Sequence, residues 1–299
     1  MTRIRLGIDF GGTKIEIAAL DGEGAFLLRE RVANPGNYEA AVLAVRALVE
    51  AAESALGTQG TVGIGIPGSP SPRTGLIRNA NSTWLNSRPF RDDIETALGR
   101  PIRMANDANC LALSEALDGA AAGRDTVFAV ILGTGCGGGL VIDGRLVEGV
   151  GGVAAELGHV PLPWPTALEY PGPDCWCGQK NCLESWISGS GFQRAFTEHA
   201  GQILSAPRIV EAARAGDAAA RTALDAYVDR LGRALALVVN IVDPDCFVFG
   251  GGMSNVDEIY APLPALIGRH AFTDRWEGEV LRAKWGDSSG VRGAAMLWD

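Results

Sequence analysis

The sequence predicts an α/β protein of two domains around one cleft. Its 299 residues are 47% hydrophobic, enough to bury more than one core, and a chain of this length ordinarily divides in two. A pattern of strand, glycine turn, strand, turn, strand begins at Ile4 and again at Thr126, a weak internal duplication. Segments rich in Ala, Leu and Val with helical spacing follow both sets of strands.

Ile4 to Phe10, Lys14 to Leu20 and Ala25 to Val32 have strand composition and are separated by GGT and DGEG turns, an antiparallel opening. Tyr38 to Ala55 has the apolar spacing of a helix, and Thr61 to Ile66 resumes as a buried strand. After a loop from Pro67 to Pro89, the pattern gives a helix over Phe90 to Leu98, a strand over Ile102 to Ala105 and a helix starting near Asp107. The second half repeats the opening in Thr126 to Leu132, Gly138 to Asp143 and Arg145 to Val147. Helices are then expected at Pro207 to Ala215, Ala218 to Ile241, Val256 to His270 and Gly290 to Trp298, with a strand at Cys246 to Phe249. No flexible linker separates the halves, so hinges are expected at element ends, near Asn106 and Ser288. The domains are then 1–106 with 288–299, and 107–287.

Charge narrows the function classes. Lys and Arg number 26 against 35 Asp and Glu, a net charge of −9, which disfavours a broad interface with nucleic acid but leaves a small anionic ligand open. No apolar run approaches the ~18 residues of a membrane helix, and Asp9 interrupts the start before a signal-like core forms. The expectation is a cytoplasmic protein with no nucleic-acid or membrane partner. Cys110, Cys136 and Cys246 lie in apolar or glycine-rich segments and are expected as small core residues.

His159, Cys175, Cys177 and Cys182 have the composition of a four-ligand zinc site, pinning a loop over 159–182. Gly178 and Asn181 suit the positive φ of tight ligand turns, and thiols one residue apart rarely form a disulfide. Buried thiols or a redox pair are the alternatives. Glu156 precedes the histidine and Glu184 follows the last cysteine, so a metal-braced loop would aim carboxylates at a ligand.

Three glycine-rich turns are candidate nucleotide contacts. In GIDFGGTK, Asp9 leads into Gly11, Gly12, Thr13 and Lys14, whose amides would face phosphates unless this is an ordinary hairpin turn. A strand follows instead of a helix, so it is not a Walker A loop. GTGCGGG has the G-x-G-x-x-G spacing but continues as a hairpin, which argues against a dinucleotide site. Gly133, Thr134 and Gly135 are instead expected to donate to phosphate. In the third turn, Gly250, Gly251 and Gly252, bare backbone would lie flat against an adenosine.

Asp107, in ANDANC, is the candidate catalytic base. An aspartate at a strand-to-helix junction also serves as a plain N-cap. A hydroxyl attacking a γ-phosphate needs a carboxylate within hydrogen-bond reach, and a helix N-terminus keeps that carboxylate ionised. Asn106 would hold a neighbouring hydroxyl. Glu156 and Glu184 supply further acceptors for a polyol, or else support the zinc loop or surface ion pairs.

These motifs together carry a family resemblance. GIDFGGTK, IGIPGS from Ile64, NANSTWLN from Asn79, ANDANC from Ala105 and GTGCGGGL from Gly133 are joined by GVGGVAAELGHVPLPW, CWCGQKNCLESWISGSG, DPDCFVFGGGMSN and GDSSGVRGAAMLW. Across essentially its whole length the chain resembles ROK-family sugar kinases of the bacterial fructokinase or mannofructokinase branch. The resemblance implies two actin-like, ribonuclease H-like domains closing over ATP, magnesium and a hexose. It implies Asp107 as the base, Asn106, Glu156, His159 and Glu184 as sugar ligands, and His159 as fourth zinc ligand. Such proteins commonly have glycine where this chain has Asn181, a change expected to have a small local effect because Asn tolerates the left-handed conformation.

The expected reaction is transfer of the γ-phosphoryl of ATP to a hexose hydroxyl, with Asp9 holding Mg2+ through water. Gly68, Ser69, Asn79 and Asn81 are candidate specificity contacts or else a plain hydrogen-bonded turn. The motifs tilt the substrate to fructose, with glucose, mannose or N-acetylglucosamine as alternatives. A sugar-sensing repressor would carry a helix-turn-helix before the first strand, which here begins near residue 4. A homodimer is expected from the resemblance.

Overall fold

The structure, a computed structural model, describes residues 4–299. In chain order the elements are β1 (Arg5–Phe10), β2 (Lys14–Leu20), β3 (Phe26–Ala33), α1 (Tyr38–Leu56), β4 (Thr61–Ile66), β5 (Ser69–Pro70), β6 (Ile77–Arg78), α2 (Phe90–Leu98), β7 (Arg103–Asn106) and α3 (Asp107–Leu117). They continue with β8 (Thr126–Leu132), β9 (Cys136–Ile142), β10 (Arg145–Leu146), α4 (Glu184–Ile187), α5 (Gly189–Ala200), α6 (Ala206–Arg214), α7 (Ala218–Val242), β11 (Cys246–Gly250), α8 (Leu263–His270), β12 (Glu279–Arg282) and α9 (Ser289–Met296). Among the described residues no helix is long and apolar enough to cross a membrane.

The chain forms two compact units. One comprises the chain up to Ala122 with Gly144–Ala154 and Asp287–Asp299, the other Gly123–Asp143 with Ala155–Gly286. In the first, the sheet order is β3-β2-β1-β4-β7, with β1 antiparallel to β2 and parallel to β4. Strand alternation puts Leu6, Ile8 and Phe10 on one face, where they pack with Val45 and Val49 of α1 and Phe90 of α2. On the other face Gly7 pairs with Gly63, and α9 lies directly on this bare strip. A Cβ at Gly7 would fall 2.0 Å from the Val291 carbonyl, and one at Gly63 1.8 Å from that of Ala294.

The first compact unit runs on to Ala122, past the expected division at Asn106. Helix α3 stays with the first unit because Gly293 of α9 brings the two helices into backbone contact: a Cβ there would lie 1.8 Å from the Cys110 carbonyl.

In the second unit the strands run in the order β9-β8-β11-β12, with β8 antiparallel to β9 and parallel to β11. The long α7 buries Leu224, Tyr227, Leu231 and Leu235. The helix expected over Val256 to His270 is broken: a 3-10 turn, Asp257–Ile259, precedes α8, since Pro262 and Pro264 lack the amides a continuous helix needs. Helix α5 and strand β12 have no counterpart in the expected pattern. Cys110, Cys136 and Cys246 are buried and unpaired, as expected.

Candidate active site

In the first unit, Asp9 is the penultimate residue of β1 and is paired with Glu16 across the β1–β2 ladder. Burial pushes its carboxyl up to about 6, and Glu16 adds to the shift against the opposing pull of Lys14 and Arg31. Glu16 is itself buried and ion-paired with Arg29 and Arg31. The following turn is anchored by its carbonyls: Asn34 donates its backbone amide to Thr13 at 2.9 Å and its side-chain amide to Gly11 at 2.7 Å.

At the β7–α3 junction Asn106 is the N-cap, its Oδ1 accepting the Ala108 amide at 2.8 Å while its Nδ2 donates to the Gly68 carbonyl at 3.3 Å. Asp107 begins the helix, and its Oδ1 also accepts the Ala108 amide at 2.8 Å. Gly68, at φ +98, admits no side chain, because a Cβ would lie 2.5 Å from the Arg78 carbonyl. Asn79 and Asn81 are exposed, on a loop stapled by Asn86, whose amide bonds the Ala80 N–H at 2.9 Å and carbonyl at 3.1 Å. Asn86, which closes the NANSTWLN motif, carried no expected role. Burial raises the Cys110 thiol well above its usual range, and the charges of Asp9 and Asp107 add to it.

In the second unit, the glycine turns meet in a cavity of about 690 Å³ whose lining includes Gly133, Thr134, Gly252, Met253, Pro207 and Val210. The Gly133 carbonyl accepts the Gly189 amide at 2.7 Å, fixing the β8–β9 turn to the start of α5. Gly251, at φ +81, lies against this turn: a Cβ would sit 2.7 Å from the Leu132 carbonyl. The apolar walls and bare backbone suit a nucleoside. Gly135 faces Glu184 instead, whose Oε2 lies 2.6 Å from where its Cβ would be.

The ligand atoms of His159, Cys175, Cys177 and Cys182 all lie within 4.8 Å of one another. Cys177 Sγ is 3.6 Å from Cys182 Sγ, and Cys175 Sγ is 3.7 Å from His159 Nδ1. A tetrahedron built on metal–sulfur bonds of ~2.3 Å has edges of about 3.8 Å, so the donor set fits a tetrahedral divalent ion. The sulfur separation exceeds the ~2.05 Å of a disulfide. Gly178 and Asn181 have φ of 87° and 64°, as the turn chemistry predicts. Asn181 Oδ1 accepts the Trp186 indole N–H at 2.7 Å, so the side chain is used structurally.

The Glu184 carboxylate and the turn that bears Glu156 and His159 both meet β9 at Cys136. The Cys136 amide donates to Glu184 Oε2 at 2.9 Å, and burial raises its thiol, with Glu184 and then Glu156 adding to the shift. The turn bearing Glu156 and His159 packs backbone to backbone on β9: a Cβ at Gly138 would fall 2.2 Å from the Ala155 carbonyl, and one at Gly158 2.0 Å from that of Cys136. Trp176, which the sequence left without a role, donates its indole N–H to Glu184 Oε1 at 2.6 Å. Its only sequence signal is an aromatic between two metal ligands.

Residues 5–299 match the model of the ROK family. The chain belongs to the ROK family. Among ROK relatives it is 39% identical over 296 residues to the N-acetyl-D-glucosamine kinase of Photobacterium profundum, covering 97% of this chain and 98% of the relative. The enzyme of the same name from Pectobacterium atrosepticum is 40% identical over 297 residues, with 97% of each chain covered. Among solved structures, the ROK hexokinase of Thermus thermophilus superposes with a TM-score of 0.88 at 32% identity, over 99% of this chain and 97% of that one. The ROK glucokinase of Streptomyces griseus, in complex with glucose and AMPPNP, gives a TM-score of 0.78 at 31% identity, over 99% of both.

Proposed function

We propose that this ROK protein is an ATP-dependent sugar kinase whose acceptor is N-acetyl-D-glucosamine. The observation that carries the activity is the carboxylate of Asp107 at the head of α3, a helix start that Asn106 caps through the Ala108 amide. The acceptor follows the two relatives named above, each similar over nearly its whole length. Neither is a fructokinase by name, so the fructose expectation gives way to the amino sugar.

Each unit has its own part in the reaction. In the first, Asp107 at the N-terminus of α3 takes the proton of the attacking hydroxyl. Gly11, Gly12, Thr13 and Lys14 receive phosphate oxygens, and Gly68, Asn81 and Asn106 border the sugar. Asp9 would hold Mg2+, which supplies charge neutralisation for the phosphates and would return this raised carboxyl to its ionised form. In the second, Gly133, Thr134 and Gly135 meet phosphates while Gly251 and Gly252 face the adenosine. Glu156 and Glu184 accept from sugar hydroxyls. With Nδ1 on the cysteine side, His159 would donate its Nε2–H to a hydroxyl oxygen. Zn2+ held by His159, Cys175, Cys177 and Cys182 would brace this loop.

ADP release measured with Mg2+–ATP and a panel of N-acetylglucosamine, glucose, mannose and fructose tests this. The expected result is sugar-dependent ADP with the highest kcat/KM for N-acetylglucosamine. A preference for fructose overturns the acceptor, and ADP release indifferent to every sugar overturns the kinase.

A further inference from the structure

We propose that Trp176 is a positioning residue of the acceptor site: its indole N–H fixes the Glu184 carboxylate, and its ring braces His159. The proposal rests on the reading that Glu184 and His159 hold the sugar.

Trp176 lies between Cys175 and Cys177, and its backbone is set by the ligand turn. The Cys175 amide donates to Gln179 at 2.8 Å and the Gly178 amide to Cys175 at 3.0 Å. From this turn the side chain projects to 62% exposure, which is costly for so large an apolar surface and serves no core. Its one polar atom is nevertheless engaged, at 2.6 Å from Glu184 Oε1. Its ring meets the His159 imidazole edge to face, with centroids 5.0 Å apart at 86°. A single side chain thus touches two of the three residues assigned to the sugar in this unit.

The contact decides how Glu184 can act. Oε2 is held by the Cys136 amide at 2.9 Å, on the strand that follows the phosphate turn, and Oε1 by Trp176. Two donors from different segments fix the plane of the carboxylate, while each oxygen keeps a lone pair for a hydroxyl. An acceptor held in this way binds a sugar without first losing side-chain freedom. The metal-ligand turn therefore sets the sugar ligands through Trp176 as well as through His159.

Trp176→Phe keeps the aromatic edge against His159 and removes only the donor. Loss of one hydrogen bond to a charged group predicts a rise of about tenfold in the KM for the sugar, with the KM for ATP, the zinc content per chain and the melting temperature unchanged. Trp176→Ala, which removes the brace as well, is expected to raise the sugar KM further. Unchanged sugar KM in Trp176→Phe overturns the proposal and leaves the kinase assignment intact.

A second measurement needs no turnover. The chain has seven tryptophans, and the indole N–H signal missing from the 15N spectrum of Trp176→Phe is that of Trp176. In the wild type it is expected downfield, as for a donor to carboxylate; it should move upfield in Glu184→Gln and shift on addition of N-acetylglucosamine. A signal indifferent to Glu184→Gln overturns the positioning contact. If the wild type releases no ADP with any sugar, the kinase reading fails and this signal alone decides the proposal.

Discussion

Asn106 joins two segments through one side chain, donating to the Gly68 carbonyl at 3.3 Å while capping α3 through the Ala108 amide at 2.8 Å. The residue beside the proposed base therefore fixes both the helix start and the loop after β4. Asn106→Ala should destabilise the protein by about 1–2 kcal/mol, the usual cost of a lost cap, read from the urea midpoint. Asn106→Asp retains the cap acceptor and loses the donor to Gly68, so its midpoint should stay closer to wild type. Equal losses in both variants would show that the cap is not the stabilising contact.

Asp107→Asn preserves size and an acceptor for the Ala108 amide but removes the proton acceptor. Turnover should fall by about 10²- to 10⁴-fold, the usual contribution of a general base, while calorimetry shows sugar binding retained. Turnover near wild type in this variant would remove Asp107 from the mechanism.

Gly251 and Gly252 are adjacent yet should respond differently to the same change. At Gly251 a methyl group meets the Leu132 backbone at 2.7 Å and the backbone is left-handed, whereas at Gly252 no atom lies within 4 Å. Gly251→Ala should cost at least about 1–2 kcal/mol from conformation alone, measured as a lowered melting temperature. Gly252→Ala should leave stability within about 0.5 kcal/mol and raise the KM for ATP, because Gly252 lines the cavity assigned to the nucleoside. An unchanged ATP KM would move the adenosine away from this turn.

The parts of this protein that were legible in its sequence are those whose chemistry is local. The four candidate metal ligands were readable because spacing and left-handed turn residues act over a few positions, and the structure brings their donor atoms together. Strands β1, β2, β4 and β8 were readable as short, mostly apolar runs, set off in β1 and β2 by glycine turns. Tertiary contacts erased the rest. Gly138 looked like one member of a phosphate fingerprint, but its bare Cα is required by the Ala155 carbonyl packed above it. Helix α5 opens with GSG, poor helix formers that read as loop; burial of Phe192 and Phe196 and the Ser188 cap on the Gly191 amide make it a helix. The placement of α3 depends on Gly293, far away in sequence, lying against Cys110.

Removing the metal should act on the sugar more than on the nucleotide. His159, Cys175, Cys177 and Cys182 close the loop that carries Trp176 and precedes Glu184, whereas the cavity assigned to the nucleoside is lined by residues outside it. Cys177→Ser should lower the zinc content per chain and the melting temperature, and raise the KM for the sugar more than that for ATP. Full retention of zinc would exclude Cys177 as a ligand.

Acid stability should depend on Glu169. It is buried with Arg233, which bonds it at 2.7 and 2.9 Å, and with Arg230 at 2.8 Å. Burial by itself raises the carboxyl; the bonds from Arg233, the Thr166 amide and Arg230 outweigh it and lower the pKa from 4.5 to about 2. Because the folded value lies below the unfolded one, this carboxylate contributes stability above about pH 4.5, and the contribution disappears as pH falls toward 2. Glu169→Gln removes one of the two carboxylates paired with the buried Arg233 guanidinium and leaves Asp229 at 3.0 Å from Nε, so the loss should fall below the about 3–5 kcal/mol that fully breaking a buried pair costs. The difference in unfolding free energy between wild type and variant should be full at pH 7 and close progressively below pH 4.5. A gap that persists unchanged to pH 2 would mean that packing of the side chain, and not its charge, holds this part of the second unit together.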